Sequence, residues 1–230
     1  MAEINCYVCG ERIFGRYYED GHGNFCRNCH RPEIKCFTCG KQSAAGKEMR
    51  LADFRVICPS CYTDAIFTIE QRVIHELELT LKKSGWYPIG KIIFEVVDLP
   101  QLARISGNSN QTVLGTCNTD ICFRLNIKIS VEHRVSVLFG LPKDSFYCSL
   151  AHELFHAWLN EMVDRNTFSP EETEWLCEHA SYLFAREKSL DEFWIKKVLA
   201  GRDSYAIAEK FKRRYDVLSI KEFVTRLRRA

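Results

Sequence analysis

The chain has 230 residues, of which 46% are hydrophobic and 27% charged, and its formal net charge at pH 7 is +2. These values are typical of a soluble globular protein with one or two domains. No apolar run approaches the roughly 20 residues of a membrane-spanning helix, which excludes a membrane protein. The N-terminal sequence MAEINCYVCG lacks the basic and apolar regions of a secretory signal, so we expect a cytoplasmic protein.

Eight of the 12 cysteines form four Cys-x-x-Cys pairs within the first 62 residues. The pairs fall into two groups, Cys6-x2-Cys9-x16-Cys26-x2-Cys29 and Cys36-x2-Cys39-x18-Cys58-x2-Cys61. Without a secretory signal, such pairs favour metal binding over disulfides. Four thiolates satisfy tetrahedral zinc, so each group predicts one structural zinc ion. A sequential arrangement of the two sites is favoured over a cross-braced one.

The cysteine spacing resembles a LIM double finger. It departs from that pattern in two places, because the two halves are further apart than in most LIM domains and Cys26 stands where a LIM finger commonly has histidine. Residues 1–62 also mix acidic with basic side chains and lack a basic patch interleaved with aromatic residues. We therefore expect a module for recognition or regulation, with no nucleic-acid partner.

Periodic patterns organise the rest of the chain. Apolar residues recur at helical spacing from Thr68 to Ser84, and Gly85 ends the helix that they predict. Strands are predicted at Lys91–Leu99, Ile121–Ser130 and Val135–Phe139, and helices at about 144–160, 170–187, 190–199 and 203–229. Strands followed by helices predict an α+β fold. We expect a LIM-like double zinc-binding module in residues 1–64, and a second domain in residues 65–230 with a small antiparallel sheet and C-terminal helices.

The segment SLAHELFHAWLN, from Ser149 to Asn160, carries two histidines four residues apart. On a helix, His152 and His156 lie one turn apart on the same face and can reach one metal ion, with Glu153 beside them. The polar residues of this segment form one narrow stripe, and nearly all others are apolar. Such a helix should be buried, and buried histidines need polar partners. A zinc ion supplies them; a pair of hydrogen-bonded core histidines is the alternative.

A catalytic zinc ion needs a third protein ligand. The HExxHxxGxxH pattern is excluded, because leucine and methionine occupy the positions of its glycine and last histidine. Glutamate-type zinc peptidases (gluzincins) instead use a carboxylate from the next helix. That helix begins well at Ser169-Pro170-Glu171-Glu172. We favour Glu174 as the third ligand, with Glu178 orienting a ligating histidine. Glu178 and His179 compete for the ligand position.

The chain resembles a known family, the plant LIM-containing peptidases that restrict organ growth and are activated by ubiquitin. The resemblance is carried by LFGLP (Leu138–Pro142), SLAHELFHAW and SPEETEWLCEHA (Ser169–Ala180). It implies zinc ligation by His152, His156 and Glu174, and a catalytic role for Glu153. Plant members carry ubiquitin-interacting helices ahead of the zinc module, whereas this chain resembles a minimal relative with zinc module and peptidase only. A ubiquitin link therefore rests on the resemblance alone.

These observations predict a zincin-like zinc endopeptidase with protein or peptide substrates, one catalytic zinc ion and two structural ones. Glu153 would accept a proton from water and pass it to the leaving amine. Tyr182 and His179 are the proposed stabilisers of the transition state, and substrate would add to a sheet edge at 121–130 or 133–139. The alternative from another class is a zinc-stapled adaptor whose peptidase domain is latent or inactive.

Overall fold

The computed structural model describes residues 4–6, 9–20, 23–27, 29, 35–41, 47–107, 113–125, 127–163, 167–203, 211–213 and 219–227. The chain divides into two compact units. The first comprises Met1–Phe67 and Phe139–Lys143, and the second comprises Thr68–Leu138 and Asp144–Ala230. The expected mixed α+β class is confirmed. The segment Phe139–Lys143, which the sequence assigns to the second domain, belongs to the first unit.

The first unit is built from very short elements around cysteines. Strands β1 (Tyr18–Asp20) and β2 (Gly23–Phe25) pair antiparallel, as do β3 (Met49–Arg50) and β4 (Val56–Ile57). Helix α1 (Pro59–Thr63) follows, and then β5 (Ala65–Ile66). Among the described residues, the core next to the second cysteine group contains Leu51 and Ile57 as its fully aliphatic buried members. So small an apolar core needs additional links to hold a fold.

The segment Phe139–Lys143 is bound to the first unit by its backbone and by one arginine. Its strand β9 (Leu141–Pro142) pairs antiparallel with β5. Arg55 donates a hydrogen bond of 2.7 Å to the carbonyl oxygen of Phe139. The Arg55 guanidinium also lies 4.9 Å from the ring centre of Phe37 and 4.8 Å from that of Phe139. A planar, weakly hydrated guanidinium suits this double stacking.

The second unit contains a mixed three-stranded sheet, which corrects the expected antiparallel one. Its strands are β6 (Lys91–Val97), β7 (Gly115–Arg124) and β8 (Ile127–Leu138), in the order β6-β8-β7. Strand β8 pairs parallel with β6 and antiparallel with β7. The sequence identifies apolar alternation but not which strands become neighbours, and β8 lies in the centre.

Two predicted strands have different bounds in the structure. The expected strand Ile121–Ser130 spans the turn between β7 and β8, where Arg124 faces Ile127. The alternation of side chains continues through this turn, so periodicity alone does not reveal it. The expected strand Val135–Phe139 corresponds to the end of β8, which stops at Leu138 and is central, so residues 133–138 are not a free edge for substrate. The two edge strands of this sheet are β6 and β7, and β7 contains residues 121–124 of the other expected edge.

The helices of the second unit are α2 (Gln71–Ser84), α3 (Leu99–Ser106), α4 (Lys143–Met162), α5 (Pro170–Glu187), α6 (Glu192–Asp203) and α7 (Ile220–Leu227). Helix α3 was not expected, although Asp98 and Gln101 form a capping box that signals it. The capping box predicted for Ser169 and Glu172 is present at the start of α5. Of the expected helix 203–229, residues 204–210, 214–218 and 228–229 lie outside the described residues.

Helix α4 is the buried centre of the second unit, as its apolar pattern predicts. Phe155 contacts Trp86 with ring centres 5.0 Å apart and stacks on Phe223 of α7 at 5.6 Å. The remaining apolar residues of α4 from Leu150 to Leu159 are also buried. The polar residues of the helix thus form a separate stripe beside its buried apolar residues. In the described part of the chain, no helix is long and apolar enough to cross a membrane.

Candidate metal centres

The structure brings each group of four cysteines together. Within each group, the four sulfur atoms lie within 4.8 Å of one another. The Sγ atoms of Cys39 and Cys58 are 3.9 Å apart, close to the separation of about 3.8 Å for two thiolates on one tetrahedral zinc ion. Because the groups follow sequence order, the sequential arrangement is confirmed. Each group could hold one zinc ion, the first with Cys6, Cys9, Cys26 and Cys29, the second with Cys36, Cys39, Cys58 and Cys61.

The thiols of the second group influence one another strongly. Contacts with Cys39, Cys58 and Cys61 lower the pKa of Cys36, while the contact with Cys36 raises the pKa of Cys61. Deprotonation of one thiol is thus favoured and deprotonation of its neighbours is disfavoured, as expected where several sulfur atoms lie close together. A bound cation would relieve this competition.

A third convergence of donor atoms lies between α4 and α5. The Nε2 atoms of His152 and His156 are 3.1 Å apart. The carboxylate of Glu174 lies 3.3 Å from Nε2 of His152 and 3.4 Å from Nε2 of His156. Nitrogen and oxygen ligands at 2.0–2.1 Å from a tetrahedral zinc ion are separated by about 3.3 Å. The three residues therefore fit a single zinc ion, while zinc ligation itself stays a prediction.

The electrostatics of this triad favour a cation. Burial lowers the pKa of His152, but the carboxylates of Glu174, Glu178 and Glu153 outweigh it and raise that pKa to about 9. Burial raises the pKa of Glu174, and its hydrogen bonds to His152 and His156 reverse this and hold it below the ordinary value. Two ring nitrogens that face each other can share at most one proton in a hydrogen bond. A metal ion satisfies both rings at once.

Glu153 is buried beside the triad and against the edge strand. Its relative exposure is 7%, and burial raises its pKa. A Cβ atom on Gly115 of β7 would lie 2.8 Å from Cγ and 2.9 Å from Oε1 of Glu153. Only glycine therefore allows β7 to approach this carboxylate so closely. The sequence does not reveal this contact, because the two residues are 38 positions apart.

Two further side chains of α5 adjoin the histidines. Oε1 of Glu178 is 3.9 Å from Nδ1 of His152, which is too long for a hydrogen bond and leaves an electrostatic contact. The sulfur of Cys177 and the histidine nitrogens lie within 4.8 Å of one another. Sequence reasoning assigned no role to Cys177. Its position three residues after Glu174, one turn along the same helix face, is the signal that identifies it.

Among the described residues, His179 and Tyr182 do not line the cleft around the triad. His179 is fully buried, stacked on Trp175 at 4.9 Å and in edge contact with Phe223 at 4.7 Å. It lies about 100° around α5 from Glu178, so it faces the aromatic core and not the histidines. The hydroxyl of Tyr182 accepts a hydrogen bond of 3.4 Å from Arg186. Their proposed roles as stabilisers of the transition state are not supported, and the same burial argues against His179 as a ligand.

A cleft of about 670 Å³ surrounds the triad. The cleft is lined by the start of β7, from Gly115 to Cys117, and by Trp194, Lys197 and Val198 of α6. The triad and Glu153 also line it. The cleft is large enough for a segment of extended peptide, and polar groups converge at one point of an otherwise partly apolar surface.

A buried polar network ties the far end of α4 to the sheet. Nε2 of His133 lies 2.7 Å from Oε1 of Glu161, and Nδ1 lies 2.9 Å from Oγ1 of Thr119. Asn160 donates a hydrogen bond of 2.9 Å to the same Thr119 hydroxyl. Glu161 also accepts hydrogen bonds from the backbone amides of residues 89 and 90. The network connects α4 to both β7 and β8 just beyond the triad.

Comparison of the chain with protein-family descriptions, with curated proteins and with solved structures finds no match.

Proposed function

We propose that the chain is a zinc-dependent endopeptidase that hydrolyses peptide bonds in protein substrates, and that its second unit has a zincin-like fold. The observation that carries the proposal is the spacing of the donor atoms of His152, His156 and Glu174, 3.1–3.4 Å apart, beside a buried glutamate in a cleft. The words LFGLP, SLAHELFHAW and SPEETEWLCEHA support membership of the family that the sequence resembles.

The proposed catalytic metal is one zinc ion held by His152, His156 and Glu174. Two histidines and a glutamate leave one coordination position for chemistry, which is the ligand set of catalytic and not of structural zinc. Zinc in such a site supplies Lewis-acid chemistry, because it polarises a carbonyl group and lowers the pKa of water to about 7.

Glu153 is proposed to hold and move the proton. It follows His152 on the same helix, so its carboxylate is in the cleft and next to the metal ligands. The carboxylate takes the proton of the attacking water and passes it to the leaving amine, which cannot depart as an anion at neutral pH. The close approach of Gly115 limits the positions that this carboxylate can occupy. Such restriction favours proton transfer, because it removes unproductive orientations.

Substrate is proposed to bind as an extended strand along β7. Among the described strands, β7 pairs only with β8, so its other edge offers backbone donors and acceptors. The first residues of this strand line the cleft. A peptide that adds to this edge would have its backbone hydrogen-bonded and its scissile bond close to Glu153. Because the hydrogen bonds are made with the substrate backbone, peptides of many sequences could bind in this way.

The two four-cysteine groups are proposed to be structural. Four thiolates saturate zinc and leave no position for a reacting group. Their module is therefore assigned to the recognition of protein substrates or to regulation, in line with the LIM-like spacing of its cysteines.

The experiment that tests this function combines metal counting with proteolysis. Bound zinc per chain and cleavage of a mixed protein substrate are measured for the wild type, Glu153→Gln and Glu174→Ala. We expect three zinc ions in the wild type and in Glu153→Gln, with cleavage reduced at least about 100-fold in that variant. Glu174→Ala should release one zinc ion to a chelator far more readily than the wild type and lose all cleavage, while both four-cysteine groups stay loaded.

The matched control is Glu171→Gln, because Glu171 is an exposed glutamate at the start of α5. It should retain both metal and activity. Equal cleavage by the wild type and Glu153→Gln would rule out the peptidase. Two zinc ions in the wild type, with no cleavage, would favour the zinc-stapled adaptor. Three zinc ions held as tightly in Glu174→Ala as in the wild type would place the third ligand elsewhere.

A further inference from the structure

Cys177 is a buried thiol directed at the histidines of the proposed metal site. Its relative exposure is 0%. Its sulfur and the ligand nitrogens of His152 and His156 lie within 4.8 Å of one another. Because Glu174 and Cys177 are three residues apart on α5, both project from the same face of that helix towards α4.

The ordinary explanation of a buried cysteine is that it fills apolar space. The surroundings of two other cysteines of the second unit differ from those of Cys177. The sulfur of Cys117 lies 3.9 Å from the Thr119 hydroxyl, and Cys148 is not grouped with metal-binding side chains. Among the described cysteines of this unit, Cys177 has its sulfur in a cluster with two histidines.

The sulfur of Cys177 and the two histidine nitrogens are close enough to share one ion after a small adjustment. Nitrogen and sulfur ligands of a tetrahedral zinc ion lie about 3.5 Å apart, so from a separation of at most 4.8 Å an approach of no more than about 1.3 Å brings the sulfur into coordination. Two residues from each of two neighbouring helices would then hold the ion: His152 and His156 from α4, Glu174 and Cys177 from α5. Paired ligands on facing helices are a common construction for metal sites in helical cores.

We propose that Cys177 is a fourth protein donor of this metal site. On coordination the thiol would release its proton to solvent, as metal-ligating cysteines do. Four protein donors close the coordination sphere, and closed sites are structural and inert. The site would therefore exist in a closed form, with sulfur bound, and an open form, in which the sulfur has been displaced. This inference rests on the proposed metal site and deepens it, because it makes the peptidase latent until Cys177 leaves.

The test is the absorption spectrum of the cobalt-substituted full chain. Co²⁺ bound to a thiolate gives a charge-transfer band in the near ultraviolet that nitrogen and oxygen ligands do not give. Wild type, Cys177→Ser, Cys177→Ala and the control Cys148→Ser are compared at the same cobalt content per chain. The eight cysteines of the first unit contribute equally to all four spectra. We expect the absorbance of one thiolate–cobalt bond to be missing from both Cys177 variants and present in Cys148→Ser.

Metal retention gives a second measurement that does not depend on activity. Cys177→Ser should release the metal of the histidine site at a chelator concentration about 10- to 100-fold lower than the wild type, while Cys148→Ser should not. Identical cobalt spectra and identical metal retention in the wild type and both Cys177 variants would overturn the proposal.

The same variants separate this inference from the proposed function. Thiolate absorbance that is lost in both Cys177 variants, together with no cleavage by the wild type or by either variant, would support the ligand and reject the peptidase. Equal thiolate absorbance in the wild type and both Cys177 variants, together with cleavage that requires Glu153, would reject the ligand and leave the peptidase intact. Where both proposals hold, the Cys177 variants cleave faster than the wild type, because their sites cannot close.

Discussion

Three glutamates on α4 and α5 have the same side chain but lie in different environments. Glu153 is buried against β7, Glu174 lies between two imidazole rings, and Glu178 faces His152 at 3.9 Å. Burial raises the pKa of Glu153 and Glu178, whereas contact with both histidines lowers that of Glu174. The same side chain can thus serve as a proposed proton carrier, a proposed ligand or an electrostatic neighbour, depending on what lies beside it.

Gly115→Ala tests the contact between β7 and Glu153. The added Cβ atom would meet the Glu153 side chain at 2.8 Å, which no ordinary Cβ contact reaches, so the carboxylate must move. We expect cleavage to fall about 100-fold, because a displacement of about 1 Å at a reacting group can cost that much. Zinc content should stay unchanged. Asn118→Ala, at an exposed position on the same strand, is the control. Full activity of Gly115→Ala would show that the approach of β7 does not position Glu153.

At the scale of elements, the position of α4 depends on its attachment to the sheet. Residues just beyond the triad bind both strands of the β7–β8 hairpin through Thr119 and His133. Gly90 also lies so close to Glu161 that a Cβ atom would be 2.8 Å from its Oε1. A helix that carries the proposed metal ligands must not slide along the sheet, and buried charge-assisted hydrogen bonds oppose sliding because they act only in one register.

Glu161→Ala tests this attachment. Its carboxylate accepts hydrogen bonds from the Ile89 amide at 2.7 Å and the Gly90 amide at 2.6 Å, and contacts His133 at 2.7 Å. Loss of these partners should lower the free energy of unfolding by about 3 kcal/mol, which corresponds to a fall in melting temperature of roughly 10 °C. The control is Glu132→Ala, at an ion pair with Lys91 on the surface, which should change the melting temperature little.

The same variant has a predicted pH dependence. Burial raises the pKa of Glu161, but hydrogen bonds from Ile89, His133 and Gly90 outweigh burial and hold that pKa below its ordinary value. A carboxyl group with a lower pKa in the folded state stabilises the fold fully above its unfolded pKa of about 4.3. This stabilisation disappears as the pH falls through the folded value. The difference in melting temperature between wild type and Glu161→Ala should therefore be largest near pH 7 and shrink below pH 4.

At the scale of the whole molecule, different interactions stabilise each of the two units. The second unit buries several large aromatic side chains, among them Trp86, Trp158 and Trp175. The first unit has short strands and few buried aliphatic residues, and cysteines dominate its core. Zinc binding in such a unit supplies free energy of folding directly, because the site does not exist in the unfolded chain.

Cys39→Ser tests the dependence of the first unit on metal. It should lose one zinc ion of the second four-cysteine group, and the backbone amides of Leu51 and Ile57 should lose protection against hydrogen exchange. Amides of the second unit, such as those of β8, should keep their protection. Cys122→Ser, which removes an exposed cysteine of β7, should change neither zinc content nor exchange. Full protection at Leu51 after the loss of zinc would show that the unit folds without it.

Much of the site could be predicted because its geometry is local. Two histidines four residues apart share a helix face whatever the rest of the fold does, and a Cys-x-x-Cys pair places two thiols in one turn. The caps at Ser169 and Glu172 are equally local. The apolar pattern around His152 predicted a buried helix, and Leu150 and Trp158 are indeed buried.

Other features depended on which distant segments become neighbours. Gly115 against Glu153, Cys177 beside His156 and the network at Glu161 all join separate elements. His179 and Tyr182 were chosen by their position on α5, and the packing of Trp175 and Phe223 turned His179 into a core residue. Periodicity shows that a side chain lies on a helix face but not what that face meets.

The sequence by itself determined the two four-cysteine groups, the buried helix with His152 and His156, and the capped helix that carries Glu174. Each depends on spacings of a few residues along one chain segment, where backbone geometry leaves little choice. Only the tertiary structure decided that β8 is the central strand, that β7 borders the cleft, and that Cys177 faces the histidines. Those outcomes follow from packing between segments far apart in sequence, and packing selects among pairings that local patterns leave equally possible.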